Sequence, residues 1–270
     1  MTGPAPIVTL TTDFGARDAY VAAMKGVILG IADTVRLVDV SHEIAAHDVT
    51  EGALALEAAV PFFPTSTIHL AVIDPGVGTA RRGLALITPV ARFVGPDNGL
   101  FSPFLDGVNW RAFELTAGDM RRPKVSRTFH GRDVFAPAAA HLALGVAPER
   151  LGPRVEDPVR LHWPTVREAH GAVAGTVLHV DRFGNLVTSI RSEAFEGFGG
   201  ISVRLAGRAL PFVGTYGDLA EGQPGALVGG SGRLEIAVRE GSAAARFRAR
   251  RGSPVVVSRS LPVRRVRRRP

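Results

Sequence analysis

The feature that most constrains the fold is a change of texture along the chain. Up to about residue 145, short apolar runs alternate with helical periodicity; beyond about residue 172, short runs are separated by Gly-containing turns. Residues 7–10, 35–40, 68–73, 84–87 and 93–94 read as strands. Between them Tyr20, Met24, Val27 and Ile31 recur at helical spacing, and Asp48 with Glu51 has the spacing of a capping box opening a helix through Val60. The alternation predicts an α/β N-terminal domain with a mostly parallel central sheet. The short runs at 173–180, 186–190, 201–205, 234–238 and 254–257 predict a smaller all-β, barrel-like C-terminal domain. The expected division is 1–165 for the α/β domain, 166–172 for a linker, 173–258 for the barrel and 259–270 for an Arg-rich, disordered tail.

Charge and cysteine content narrow the function classes. The formal charge of +7 includes six arginines between Arg259 and Pro270, and removing those six leaves +1 for the rest. The body is nearly neutral and the tail lacks interleaved aromatics, so the basicity argues for a solvated end rather than for a nucleic-acid surface. Cysteine is absent, which excludes a disulfide framework, a thiolate metal site and a Cys nucleophile, and fits a cytoplasmic protein. The N-terminus has no signal-peptide pattern, and no apolar stretch approaches the ~20 residues that span a bilayer.

Two strand-like runs end in a carboxylate. One leads into Thr11-Thr12-Asp13-Phe14-Gly15, the other into Asp74-Pro75-Gly76-Val77-Gly78-Thr79-Ala80-Arg81-Arg82. Strand ends are where open α/β sheets bind ligands, and glycines let backbone approach a ligand closely. Further on, Thr128-Phe129-His130-Gly131-Arg132-Asp133 sets an imidazole before a helix expected over 134–144. Asp133 reads as the N-cap of that helix, and His130 is left for chemistry near neutral pH. Gly95-Pro96-Asp97-Asn98-Gly99 reads only as a turn. In the second half, Asp181-Arg182-Phe183-Gly184-Asn185 joins an acid, an aromatic and an amide in one turn. The loop Gly229-Gly230-Ser231-Gly232 runs into a strand without the Lys and helix of a phosphate loop.

These motifs, with Ser231-Gly232-Arg233-Leu234-Glu235-Ile236-Ala237, fall in an order that resembles the S-adenosyl-L-methionine (SAM) hydroxide adenosyltransferases, relatives of the SAM-dependent fluorinase and chlorinase. The resemblance runs from about Ile7 to Val257. It implies a homotrimer whose sites lie between the N-domain of one subunit and the C-domain of its neighbour. It also implies hydrolysis of SAM to adenosine and L-methionine, with SAM as substrate and neither cofactor nor metal. The family's Asp-Arg-His triad maps onto Asp74, Arg81 and His130; the family's seven-residue spacing from the Asp favours Arg81 over Arg82. By the same mapping Asp13 holds the ribose hydroxyls, Asp181 and Asn185 the methionine end, and Phe183 stacks on adenine or walls the pocket. Ser231, Glu235 and the backbone near Val238 complete the ligand contacts.

The chemistry implied is displacement at ribose C5′ by activated water, with a neutral thioether leaving a sulfonium. His130 can act as the general base, Asp74 can orient the imidazole or the water, and Arg81 can stabilise hydroxide charge. Which member takes the proton is left open by the sequence. The rival readings are a halogenase on the same scaffold and a SAM or adenosine sensor. The halide-using relatives have an aromatic residue where Asp74 stands, and a carboxylate repels a halide.

Overall fold

The computed structural model describes residues 4–107 and 109–260 and divides at Leu161/His162 into two compact units. In the first unit the elements run β1 Ile7–Thr12, α1 Tyr20–Ile31, β2 Arg36–Ser41, α2 Val49–Ala59, β3 Ile68–Val72, β4 Gly83–Ile87, β5 Arg92–Pro96, β6 Arg111–Glu114, α3 Ala136–Ala143 and β7 Arg154–Val155. They build a seven-stranded sheet in the order β2-β1-β3-β5-β4-β6-β7.

The expected mostly parallel sheet is corrected to a mixed one. Strands β2, β1, β3 and β5 are parallel, whereas β4 pairs antiparallel with β5 and β6, and β6 with β7. The cause is local. Between β4 and β5 the chain reverses within four residues, where the Thr88 hydroxyl accepts from the Ala91 N–H at 3.1 Å and the Thr88 N–H donates to the Ala91 carbonyl at 3.0 Å. So short a connection makes a hairpin; a parallel neighbour needs a crossover of a dozen residues or more.

Alternation along the strands creates two faces. Val8 and Leu10 of β1 and Ile68, Leu70 and Val72 of β3 pack with Met24 and Ile28 of α1 and with Ala136, Ala139 and Ala140 of α3 in one buried cluster. Thr9 and His69, paired in register, belong to the opposite face. Helix α2 starts where its sequence predicts: Asp48 accepts from the Glu51 N–H at 2.9 Å. The Glu51 carboxylate reaches the Ala45 N–H at 3.3 Å, so it braces the incoming loop. The expected 134–144 helix is preceded by a π-helical turn, Gly131–Phe135, before α3.

The second unit holds β8 Arg167–Ala169, β9 Ala172–Val180, β10 Leu186–Arg191, β11 Ile201–Leu205, β12 Arg208–Leu210, β13 Pro224–Val228, β14 Arg233–Val238, the short helix α4 Ala243–Phe247 and β15 Pro254–Arg259. All ladders are antiparallel in the order β12-β11-β15-β9-β10-β14-β13, with β8 added to β9. An isolated bridge from Phe212 to Ala226 brings the two ends of this path together, giving a barrel-like form. Its interior is filled by Val173, Val177, Leu186, Ile190, Val203, Leu234, Ile236, Val255 and Val257. Strand β8 lies in the stretch expected as linker, joined to β9 through His170 and Gly171, both at positive φ as a tight hairpin turn requires. Arg259, expected in the tail, ends β15; residues 261–270, with the other five arginines, lie outside the described residues. No helix among the described residues is long and apolar enough to cross a membrane.

Candidate active site

Asp13 and Asp74 follow the C-terminal ends of neighbouring parallel strands, since Thr12 of β1 pairs with Val72 of β3. The turn holding Asp13 is braced from the segment after β2. Gly15 N–H donates to the His42 carbonyl at 2.7 Å, and the His47 N–H donates to Asp13 Oδ2 at 2.9 Å. His47 reaches it by adopting φ 67, the left-handed region that side-chain-bearing residues rarely occupy. This contact was not legible in the sequence, because only the backbone of His47 makes it.

Asp74, Arg81 and His130 come together, in an order spacing alone does not give: Arg81 stands in the middle. Its Nε donates to Asp74 Oδ1 at 2.8 Å, its Nη2 to Asp74 Oδ2, and the same Nη2 to His130 Nδ1 at 3.0 Å. Asp74 and Arg81 side chains are only 5% and 11% exposed. The guanidinium lies 5.1 Å from the ring centre of the buried Phe135, a cation–π floor beneath the pair. Glycine is required at Gly78, where φ is +78 and a Cβ would come 2.5 Å from the Arg127 carbonyl oxygen. The loop therefore lies directly on the segment leading to His130. Arg82 turns elsewhere, donating to Asp97 and Asp157.

A guanidinium only donates, so His130 Nδ1 must accept, which leaves the proton of a neutral imidazole on Nε2. Burial first, then the Arg81 cation, holds the His130 pKa below its ordinary value, with Asp74 opposing. Asp133 is not an N-cap. Its buried carboxylate accepts from Arg132 Nε at 2.7 Å and Nη2 at 2.8 Å and from the Ser126 N–H at 2.8 Å, which ties down the loop before His130. Phe129 packs against Phe14 and Tyr20 at ring separations of 6.1 and 5.3 Å, joining the His130 and Asp13 turns.

In the second unit a cavity of about 520 Å³ is lined by Asp181, Phe183, Asn185, Tyr216, Val238, Arg239, Glu240 and Gly241. Asp181 Oδ1 accepts from the Phe183 and Asn185 N–H groups at 2.9 and 2.8 Å, and Oδ2 from Asn185 Nδ2 at 3.0 Å, so the turn holds itself rigid. Phe183 is 76% exposed, a free ring at the cavity rim. Glu235 is buried in β14 and accepts from the Tyr216 hydroxyl; burial pushes its pKa up, Asp181 adds to the rise and Tyr216 opposes it. Tyr216 was missed in the sequence; its signal was the capping box of Thr215 and Asp218 that fixes its turn. Ser231, exposed in the turn before β14, is not among the residues lining the cavity.

Comparison with known proteins matches the SAM hydroxide adenosyltransferase N-terminal domain over residues 8–152 and the corresponding C-terminal domain over residues 175–256. The chain is 43% identical to an (R)-S-adenosyl-L-methionine hydrolase of Salinispora tropica, covering 89% of this chain and 93% of that protein. It is 42% identical to one of Thermus thermophilus, covering 92% and 98%. A fluorinase of Actinopolyspora mzabensis is more distant, at 29% identity over 94% of this chain and 98% of its own. An uncharacterised conserved protein of Thermotoga maritima superposes with a TM-score of 0.86 at 32% identity, covering 94% of this chain and all of that one. With both domain matches spanning most of its length, the chain belongs to the SAM hydroxide adenosyltransferase family.

Proposed function

We propose that this protein hydrolyses S-adenosyl-L-methionine, in its R configuration at sulfur, to adenosine and L-methionine. The observation that carries the reading is the preformed Asp74–Arg81–His130 array at the strand ends of the first unit. Its support from relatives is the hydrolase name at 38–43% identity, against 27–29% for the fluorinases.

Water attacks C5′, the C5′–S bond breaks, and its electron pair returns to sulfur as a neutral thioether. No general acid is needed. The proton is shed from the new oxonium, and Asp74, the one anion of the array, is the acceptor we assign. The sequence leaves the acceptor open between the members of the array; His130 is the weaker candidate, because its Nδ1 is already occupied by Arg81 and Nε2 carries a proton. His130 then orients the water through Nε2–H, and Arg81 fixes the carboxylate bidentately. A neutral imidazole also avoids setting a second cation against the sulfonium. Holding the water in line with C5′–S supplies the entropic part of the rate.

The same reading gives Asp13 the ribose diol. It gives the second-unit cavity, with Asp181, Phe183, Asn185 and Val238, and also Glu235 and Ser231, the remainder of the substrate, in a homotrimer that completes each site. A halogenase would carry no carboxylate at residue 74, since it repels a halide. The test is SAM, each sulfonium epimer separately, incubated in oxygen-18 water with wild type and Asp74→Ala. Adenosine labelled at the 5′ oxygen, from the R epimer and the wild type alone, is the expected result. Ligand retained without turnover would replace the reading by a sensor, and light scattering at monomer mass would remove the trimer.

A further inference from the structure

The turn Gly95-Pro96-Asp97-Asn98-Gly99 has no chemistry by composition, yet both its polar side chains reach the ends of the loop that carries Asp74 and Arg81. Asn98 Nδ2 donates at 2.8 Å to the Ile73 carbonyl, in the peptide that leads into Asp74. Asn98 Oδ1 accepts from the Leu100 N–H at 3.2 Å, so the amide is held at both ends. Asp97, buried, accepts on Oδ2 from Arg82 Nε at 2.9 Å and Nη2 at 2.8 Å, and on Oδ1 from the Val159 N–H at 2.8 Å. Its own N–H donates to the Arg82 carbonyl at 2.9 Å. The two consecutive arginines are thereby divided: Arg82 is drawn to Asp97 and Asp157, and Arg81 to the array.

Backbone approach makes this reach possible. A Cβ at Gly95 would lie 2.2 Å from the Ala71 carbonyl oxygen, so only glycine lets β5 run this close to β3 just below Asp74. Inside, the loop is a series of tight turns, with Val77 N–H on the Asp74 carbonyl at 3.2 Å and Thr79 N–H on the Gly76 carbonyl at 3.1 Å. The relation of Asp74 to Arg81 is therefore set largely at the loop ends, where Asn98 and Asp97 act.

We propose that Asn98 and Asp97 are positioning residues for the hydrolysis: they pin the two ends of the 74–82 loop so that Asp74 stays bidentate on Arg81 and Arg81 stays on His130 Nδ1. The catalytic consequence rests on the function proposed above; the geometric one does not. In Asn98→Asp a carboxylate faces the Ile73 carbonyl with nothing to donate. In Asp97→Asn an amide N–H₂ or a single acceptor replaces the carboxylate that holds both Arg82 and Val159.

The test is kcat and KM for SAM from pH 6 to 9 on both full-length variants, at a temperature where melting curves show each folded. The ¹⁵N shifts of the His130 imidazole are recorded alongside. Expected are a kcat about 10²-fold lower, the cost of a displacement near 1 Å in a reacting site, and a KM within threefold of wild type. The His130 signals should leave the pure Nε2–H tautomer. Wild-type kcat and wild-type His130 shifts in a folded variant would overturn the proposal, as would a kcat loss matched by an equal rise in KM. If Asn98→Asp does not fold, Asp97→Asn decides. If the wild type itself forms no adenosine, the proposed function falls while the His130 shifts still decide the positioning claim.

Discussion

His69 makes the first unit acid-labile by a calculable amount. It sits fully buried at the middle of the sheet, its Nδ1 2.8 Å from the Thr9 hydroxyl and its ring between Phe63 and Phe93, with ring centres 5.5 and 5.4 Å away. Burial lowers its pKa from 6.5 to about 4. Above pH 6.5 the imidazole is neutral in both states and costs nothing. Below it the unfolded chain takes a proton that the folded chain refuses, so stability falls with pH until the folded pKa is reached. At 1.36 kcal/mol per pH unit the full penalty is about 3 kcal/mol, and about 2 kcal/mol has accrued by pH 5. Urea unfolding at pH 7.5 and pH 5 measures it, in a Trp163→Phe background so that Trp110 reports the first unit alone. His69→Asn keeps a partner for Thr9 and does not titrate. It should be less stable than its parent at pH 7.5, because it leaves a cavity, yet lose about 2 kcal/mol less on going to pH 5. Equal losses in parent and variant, within 0.5 kcal/mol, would refute the assignment.

Burial and the Arg81 cation hold the His130 pKa below its ordinary value, and the proposed mechanism uses the neutral imidazole, so the acid limb of kcat/KM should have its midpoint below pH 6.5; a midpoint above pH 7 would contradict it. His130→Ala should collapse turnover while SAM binding, read by calorimetry, stays largely intact; His130→Asn, whose amide oxygen can accept from Arg81, should recover part of the loss. Gly78→Ala forces a Cβ onto the Arg127 carbonyl at positive φ, and should lower the stability of the first unit by about 1–3 kcal/mol with a matching drop in melting temperature. Tyr216→Phe leaves the buried Glu235 carboxylate without its hydroxyl donor, and should destabilise the second unit by about 1 kcal/mol; an unchanged melting curve would place the pair outside its energetics.

What the sequence made legible was what neighbouring residues determine. The apolar run ending at Ile73 is strand β3 to within a residue, and Asp48 caps α2 through the N–H that its spacing to Glu51 implies. What escaped were features set by partners distant in sequence. The antiparallel β4 follows from a four-residue turn whose hydroxyl bonds are invisible as a pattern, and β6 pairs with β4 rather than with the strand before it in sequence. The Tyr216–Glu235 pair joins residues 19 apart, and His47 contributes only its backbone. The Asp-Arg-His set was legible as a set, but its internal order was not. Spacing says that Asp74 and Arg81 can meet, but only the approach of His130, 49 residues further on, makes the arginine the shared member. That order carries the mechanism. With the carboxylate bonded to the imidazole, histidine would be the natural base. With the guanidinium between them, the imidazole accepts at Nδ1, and the mechanism proposed above assigns the proton to Asp74. The same division explains why two adjacent arginines are not interchangeable. Asp97 and Asp157 hold Arg82, so exchanging the roles of Arg81 and Arg82 would leave the buried Asp97 without its cation as well as emptying the centre of the array.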